Sequence, residues 1–443
     1  MDSSSSTVKA AWVEKNFAAF EQVLNGGSKL PLHTKRKEAL SNFIKTGFPT
    51  SSLEEWKYTN PQPIADTLFS LISTPGEVAD ITSFTTAGLD SYKFIFVDGI
   101  FNSQLSAKTV EAGLSVTNIK SAQRPEAELC SLVNNNLGSV ANQSDAFVAI
   151  NTAFVHDGVV INVAKNANVK IPVELVFIST ASANNAAIQP RVFVNCEQGG
   201  NVSIVERYVS VDKTTCYLSN SVFECQVASN ACVDHYRLQD ESLAAYHVST
   251  IQAALESDAN FRTHTFSFGS KLARNSVNVV MNGSNCNTTM NGLSVLTGDQ
   301  HVDNATLLDH AKPHCESLEL YKGIYDGKSQ GVFSGTIIVR EDAQKTNAVQ
   351  SNRSMLLSQD AQVNTKPQLK IWADDVKCTH GATIGQMDDD ALFYIKSRGV
   401  SDRDARIMLV HAFASEITNC VKLDTLASEI QNKLVEKLSL QTA

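Results

Sequence analysis

The sequence predicts a mainly β protein, built on a parallel β-helix (a solenoid) that is flanked by α-helical regions. Short runs of β-branched and aromatic residues dominate the chain from about residue 92 to residue 385, with Asn, Gly, Ser or Asp between them. A small or turn residue precedes several of these runs at irregular intervals. Strands that recur at intervals of about 20 to 50 residues are typical of coils stacked into one continuous core.

A weak internal repeat supports the solenoid. The pairs that open the repeated runs are Ala167-Asn168, Gly200-Asn201, Asn230-Ala231, Ala259-Asn260, Ala343-Gln344 and Ala361-Gln362. A two-sheet antiparallel sandwich is the alternative, with a strand about every 8 to 12 residues. Two-residue hairpin turns are scarce in this sequence and the chain is long for a sandwich, so we favour the β-helix.

The predicted strands are short and apolar. They cover residues 94–97, 146–150, 158–163, 173–178, 191–195, 202–206, 276–280 and 332–339. A looser stretch at about 120–142 has a helical pattern instead. The strand region as a whole defines a predicted core domain of residues 91–385.

Residues 1–90 form the predicted N-terminal helical region. Val13, Phe17, Phe20 and Leu24 recur at helical spacing and predict an amphipathic helix over residues 8–24, which ends at Gly26-Gly27. A second helix is expected from about residue 33 to residue 44.

Residues 386–443 form the predicted C-terminal helical region. Ser401, with Asp404 three residues later, is a typical helix start. One helix has an apolar stripe of Ala405, Met408, Leu409, Ala412 and Phe413, and the last helix carries Leu426, Ile430, Leu434 and Leu438. Such helices beside a solenoid either cap its end or bind a partner subunit.

The composition excludes several classes of protein. The chain has 443 residues and a formal net charge of -9, which argues against nucleic-acid binding. No apolar run approaches the roughly 20 residues that span a bilayer. The first residues resemble neither a secretory signal nor an Arg-rich transit peptide, so we expect a cytoplasmic protein. Its nine cysteines are an odd number without a Cys-x-x-Cys pair, and we expect free thiols.

Two soft metal ligands lie close together within residues 366–385. Cys378 and His380 are separated by one residue, and Val376 shares their parity. On a strand these side chains point the same way, so the thiolate and the imidazole can reach one metal ion. An isolated Cys-x-His is also compatible with a purely structural role. Gly381 leaves room for another backbone to approach.

A second group of His and Cys residues lies in residues 310–315. His314 and Cys315 are adjacent, and on a strand they would point to opposite faces and not chelate together. Carbohydrate-acting β-helix enzymes need paired carboxylates, for which Asp374-Asp375 and residues 388–390 are the available clusters. We interpret both clusters as structural, the second as the start of a helix. The sequence contains no Walker motif, so the chain should not hydrolyse nucleotide itself.

Several motifs together resemble the SufB/SufD family of iron–sulfur cluster assembly proteins. They are Glu55-Trp-Lys-Tyr58, Phe96-Val-Asp-Gly99, His310-x-x-x-His-Cys-x-Ser317, Tyr321-Lys-Gly-Ile324, Val332-Phe-Ser-Gly335, Asp342-Ala-Gln-Lys-Thr346, Thr365-Lys-Pro-Gln-Leu369, Ala373-Asp-Asp-Val-Lys-Cys-Thr-His-Gly-Ala-Thr383 and Leu392-Phe-Tyr-x-x-Ser-Arg-Gly399. Gly381 after the histidine, and the lack of the N-terminal cysteine motif of SufB, favour the SufD branch.

The resemblance implies a right-handed parallel β-helix and a non-catalytic scaffold subunit. It implies a complex with a SufB-like subunit and two copies of a SufC-like ATPase, which the C-terminal helices would dock. His380 maps to the family histidine at the SufB–SufD interface, where the nascent cluster is thought to form, and Cys378 is the neighbouring thiol. Iron or a transient cluster would be shared with SufB. A flavin in the complex and a homodimer are left open.

Two other functions stay open on the sequence alone. One is a stand-alone β-helix enzyme that acts on acidic polysaccharide, which predicts turnover by the isolated chain. The other is a self-contained zinc protein, which predicts stoichiometric metal in the purified chain.

Overall fold

The computed structural model describes residues 3–24, 27–72 and 74–439, and within them the chain forms a parallel β-helix made of two ten-stranded sheets. The first sheet contains β1 (Tyr92–Val97), β2 (Ile100–Phe101), β5 (Val173–Ser179), β8 (Asn201–Ser210), β10 (Cys232–Asp240), β12 (Asn260–Ser267), β14 (Asn287–Leu296), β16 (Glu316–Tyr325), β18 (Asn347–Leu356) and β20 (Lys377–Gln386). The second contains β3 (Leu114–Asn118), β4 (Val159–Val163), β6 (Ala187–Ile188), β7 (Arg191–Cys196), β9 (Leu218–Val227), β11 (Tyr246–Leu255), β13 (Leu272–Met281), β15 (His301–His310), β17 (Gln330–Val339) and β19 (Gln362–Ile371).

From β8 onward the chain alternates between the two sheets, and each strand pairs in parallel with the strand one coil away. The prediction of a parallel β-helix is therefore confirmed, and the sandwich alternative is wrong. Residues one coil apart stack directly, as Asp234 and Arg262 do at a separation of 28 residues in sequence. The pair Ala343-Gln344 precedes a strand of the first sheet and Ala361-Gln362 one of the second, which explains the short last step of the repeat.

The helices lie outside the two sheets. They are α1 (Ser3–Val23), α2 (Pro31–Thr46), α3 (Gln62–Asp66), α4 (Ile119–Ala122), α5 (Cys130–Asn136), α6 (Ala146–Phe154), α7 (Asp389–Lys396), α8 (Asp402–Thr418) and α9 (Asp424–Ser439). Val13, Phe17 and Phe20 of α1 are buried, as predicted, and share a cluster with Phe154 of α6. The predicted helix end at Gly26 lies outside the described residues.

The strand predicted for residues 146–150 is wrong, because this segment belongs to α6. The Asp145 side chain accepts hydrogen bonds from the backbone N–H groups of Phe147 (2.9 Å) and Val148 (3.0 Å) and so caps the helix. The residues from Phe147 to Phe154 are all buried. A helix buried on every side shows no helical periodicity, and a short apolar run of this kind cannot be told from a buried strand.

The C-terminal helices pack on the outer face of the first sheet. Ser401 caps α8, accepting from Asp404 N at 3.1 Å, as predicted. The predicted apolar stripe of α8 is wrong in part, since Met408 is 52% exposed and Ala412 is exposed. The face that packs in the cluster with the sheet is formed by Ala405, Val410, Ala414 and Ile417. On α9, Leu426, Ile430 and Leu434 are buried, and the side chain of Leu438 lies outside the described residues.

No helix of the described part of the chain is long and apolar enough to cross a bilayer. The terminal helices pack against the faces of the two sheets, and β19 and β20 form the last coil of the stack. Most residues of β20 are exposed, whereas nine of the ten residues of β9 are buried.

Candidate functional site at the open end of the β-helix

The strand β20 carries both predicted metal ligands. In the described structure it pairs with β18 along one edge, and its other edge has no partner strand. The strand β19 ends the second sheet in the same way. Free backbone N–H and C=O groups along such an edge can add a strand from another chain.

Cys378 and His380 point toward the interior side of β20, as their shared parity predicts. Cys378 is in register with Ala348 of β18 and His380 with Gln350, and both partners are buried. Cys378 is half-buried and packs against the main core cluster. His380 is exposed because no coil lies beyond it. The two donors are therefore together on the uncovered inner face of the last coil, and neither is sealed inside the solenoid.

The Cys378 thiol is not activated by its surroundings. Its partial burial raises its pKa above the ordinary value for a thiol, and a backbone hydrogen bond involving Ala348 opposes this shift. At neutral pH the side chain therefore stays protonated until a metal displaces the proton.

The site does not hold a complete ligand set. In the described residues no three or more His, Cys, Asp or Glu side chains are arranged to hold a metal ion. A structural zinc site has four ligands, and the described residues place only Cys378 and His380 together at the open end.

Apolar side chains lie uncovered on the last two coils. Val349 is 38% exposed, Ile371 39%, Ile384 45% and Trp372 60%. Of these residues, Ile371 and Ile384 lie on the two strands with a free edge, and exposed apolar residues at such an edge are typical of a surface that another protein covers.

The second group of His and Cys residues is internal. The sequence predicted His314 on a strand, and this prediction is wrong, because His314 lies in a turn with a φ of 63°. Cys315 is buried, with its Sγ 3.4 Å from the Gly283 carbonyl oxygen, and His310 is buried with Nε2 3.0 Å from Ser317 Oγ. A hydrogen bond with the neighbouring Cys286 thiol lowers the pKa of Cys315, and the burial of Cys315 opposes this shift.

The acidic clusters have structural partners, in agreement with the sequence interpretation. Asp375 forms an ion pair with Lys345. Asp388 caps α7 and accepts from the backbone N–H groups of Asp390 (2.9 Å) and Ala391 (3.1 Å). These contacts assign neither cluster to carbohydrate chemistry.

Two residues beneath the site escaped the sequence analysis. Gln350 and Glu319 are stacked under His380 in the preceding coils, and the Gln350 Nε2 group donates to Glu319 Oε2 at 2.8 Å. Their separation of 31 residues, close to the length of one coil, is the signal that could have found them.

Comparison with known families places these features in context. Residues 10–175 match the model of the SufBD protein N-terminal region, and residues 177–413 match that of the SUF system FeS cluster assembly, SufBD core domain. The chain belongs to the SufB/SufD family. The resemblance inferred from the motifs is thereby confirmed, and the protein is an iron–sulfur cluster assembly protein of this family.

Three relatives cover most of the chain. The iron–sulfur cluster assembly protein SufD of Escherichia coli is 30% identical over 91% of this chain and 92% of its own length. An iron–sulfur cluster assembly SufBD family protein of Synechocystis is 31% identical, covering 95% and 94%. The chloroplastic protein ABCI7 of Arabidopsis thaliana is 33% identical, covering 88% and 82%. The match to SufD over 91% of this chain supports the assignment to the SufD branch.

Proposed function

We propose that this protein is the SufD-type scaffold subunit of an assembly complex and that the open end of its β-helix binds a SufB-like subunit. The observation that carries the proposal is the last strand β20, which presents Cys378 and His380 on an uncovered inner face beside a free edge. A partner that adds a strand to this edge would bring its own donors to the same place.

The incomplete ligand set explains why a shared site is useful. Neutral His380 offers a ring nitrogen lone pair, and Cys378 binds once it has lost its proton. Iron, or a nascent cluster, is the cargo held between the two subunits. Because neither chain would hold the metal alone, separating the subunits would release it.

The remaining parts of the complex follow from the terminal helices. Phe393 of α7 is 74% exposed, Tyr394 is 60% exposed and Met408 of α8 is 52% exposed. This apolar surface is our proposed docking site for a SufC-like ATPase, which would supply the nucleotide hydrolysis. The subunit itself would be non-catalytic, and the cytoplasm is the proposed compartment. A reduced flavin bound in the complex stays a prediction that rests on the family resemblance.

The test is the replacement His380→Ala in a complex reconstituted with SufB-like and SufC-like partners. We expect most of the iron and sulfide to be lost from the complex, because the imidazole donor is gone, while the fold of this exposed site is unchanged. Thr379→Ala is the matched control, since Thr379 is also exposed and lies on the opposite face of β20. Full cluster content in the His380 variant would overturn the proposed site.

The partner at the open end can be tested separately. Ile384→Lys places a charge on the inner face of β20, and we expect it to abolish association with the SufB-like subunit in size-exclusion chromatography. A second copy of this chain is the other protein that this surface could bind. In that case the isolated natural protein would elute as a dimer and the isolated Ile384→Lys variant as a monomer. Unchanged association with the SufB-like subunit would show that the contact lies elsewhere.

A further inference from the structure

A column of side chains runs through the interior and ends at His380. Met290, Glu319, Gln350 and His380 occupy equivalent positions on β14, β16, β18 and β20, each in direct register with the next. Parallel neighbours in register lie about 4.8 Å apart, so His380 is the next side chain beyond Gln350 in the column.

The Gln350 side-chain amide has a hydrogen-bond partner for its Nε2 group and none among the described residues for its Oε1 atom. Its Nε2 group donates to Glu319 Oε2 at 2.8 Å. Its Oε1 atom is buried without a hydrogen-bond partner among the described residues. Gln350 is 1% exposed and Glu319 is fully buried, so bulk water does not serve this oxygen.

The surrounding residues hold the amide in place. A Cβ atom added to Gly335 of the facing sheet would overlap Gln350 Nε2, so the missing side chain at Gly335 provides the space the amide fills. Below Glu319 the column continues with Met290, which offers no polar atom of comparable strength. On the other side of Gln350, the next member of the column is His380.

We propose that Gln350 is the positioning residue for His380, with its Oε1 atom accepting the N–H of the imidazole. The bond would select one tautomer and direct the other ring nitrogen, with its lone pair, away from the interior. Histidines that bind metals in proteins almost always donate their second N–H to an oxygen in this way. The part of this inference that concerns metal binding rests on the proposed function of the open end.

The first test measures the imidazole itself, without any metal. In full-length protein labelled with ¹⁵N-histidine, the ring nitrogen shifts of His380 report its tautomer, and the His380→Asn variant identifies its signals. We expect one dominant tautomer in the natural protein and a mixture in Gln350→Leu. Gln350→Glu should restore the single tautomer because it keeps an acceptor oxygen, and the buried Glu319 carboxyl, whose pKa burial raises to about 7, can donate to it in return.

The matched control is Asn352→Leu. Asn352 lies on the same strand and face as Gln350, is similarly buried with an unpartnered Oδ1 atom, and is in register with Ala382 instead of His380. Asn352→Leu removes a buried side-chain amide, as Gln350→Leu does, but leaves the proposed bond between Gln350 and His380 intact. His380 should therefore keep its tautomer in this variant. Identical His380 signals in the natural protein and Gln350→Leu, or equal changes in Gln350→Leu and Asn352→Leu, would overturn the role of Gln350.

The second test adds Co²⁺ as the metal to the complex of this protein with the SufB-like subunit, and follows the thiolate–cobalt absorbance. Gln350→Leu should weaken binding about tenfold, as expected for loss of an oxygen that orients a ligand, and Asn352→Leu should not. Equal affinities in the natural protein and His380→Ala would overturn the proposed metal role of the open end. The tautomer measurement would then still decide whether Gln350 positions the ring, so the two failures are distinguishable.

Discussion

His235 and His380 lie in the same interior column of the β-helix, and their surroundings differ in every respect that matters for function. His235, in the middle of the stack, is fully buried, with Nδ1 2.9 Å from Thr263 Oγ1 and Nε2 2.8 Å from Glu206 Oε2. His380, on the last strand, is exposed. A histidine whose two ring nitrogens are both bonded is structural, whereas one at the uncovered end is available to bind. Position in the stack, and not residue type, separates the two.

The same contrast holds for apolar residues. Phe261 on β12 is fully buried between β10 and β14, and Ile384 on β20 is 45% exposed on an equivalent inner face. A strand in the middle of a solenoid is covered by two neighbours, but the terminal strand has only one. The end of the stack therefore tolerates change that the middle does not.

The largest expected effect comes from the buried member of the apolar pair. Phe261→Ala should lower the free energy of unfolding by about 3 to 5 kcal/mol, because it removes a fully buried ring and leaves a cavity. Ile384→Ala, its counterpart at the open end, should cost less than about 1 kcal/mol. Urea unfolding followed by circular dichroism measures both. Similar losses in the two variants would show that the last coil is packed as tightly as the middle.

A slightly smaller effect should depend on pH and concerns Glu319. Burial raises its pKa from 4.5 to about 7, so the folded protein holds this proton more tightly than the unfolded chain. Its stabilising contribution is complete below pH 4.5 and is lost as the pH rises to about 7, by about 3 kcal/mol in all. Glu319→Gln removes this dependence, so the variant should gain stability relative to the natural protein between pH 4.5 and pH 7.5.

The control for this pH effect is Glu316→Gln, an exposed position on the same strand. Denaturant unfolding at several pH values measures the three proteins together. The interpretation fails if the Glu319 and Glu316 variants follow the same pH profile.

The smallest effect sharpens the comparison between the two histidines. His235→Ala should cost about 2 kcal/mol, since it leaves a buried carboxylate oxygen of Glu206 without its partner. His380→Ala should change stability by no more than about 0.5 kcal/mol, as is usual for exposed sites. Thermal unfolding of the two variants provides the comparison. A large loss in His380→Ala would mean that the residue supports the fold, which would weaken its assignment as a binding residue.

Local patterns in the sequence determined the class of the fold and singled out Cys378 and His380 as candidate metal ligands. Alternating apolar residues and turn residues predicted stacked strands, because strand periodicity and turn chemistry depend only on neighbouring residues. Parity alone placed Cys378 and His380 on one face. The start of α8 at Ser401 followed from its side chain and the nearby backbone.

Only the tertiary structure decided which of these residues are covered. Residues 146–150 are helical, which the sequence did not indicate because a segment buried on every side has no amphipathic pattern. Met408 of α8 faces outward, although it was predicted to lie on the apolar stripe. The tertiary structure also showed that the stack ends at β20 and that Gln350 and Glu319 lie beneath His380. Burial and hydrogen bonding between coils join residues about one coil apart in sequence, and no local pattern contains that information.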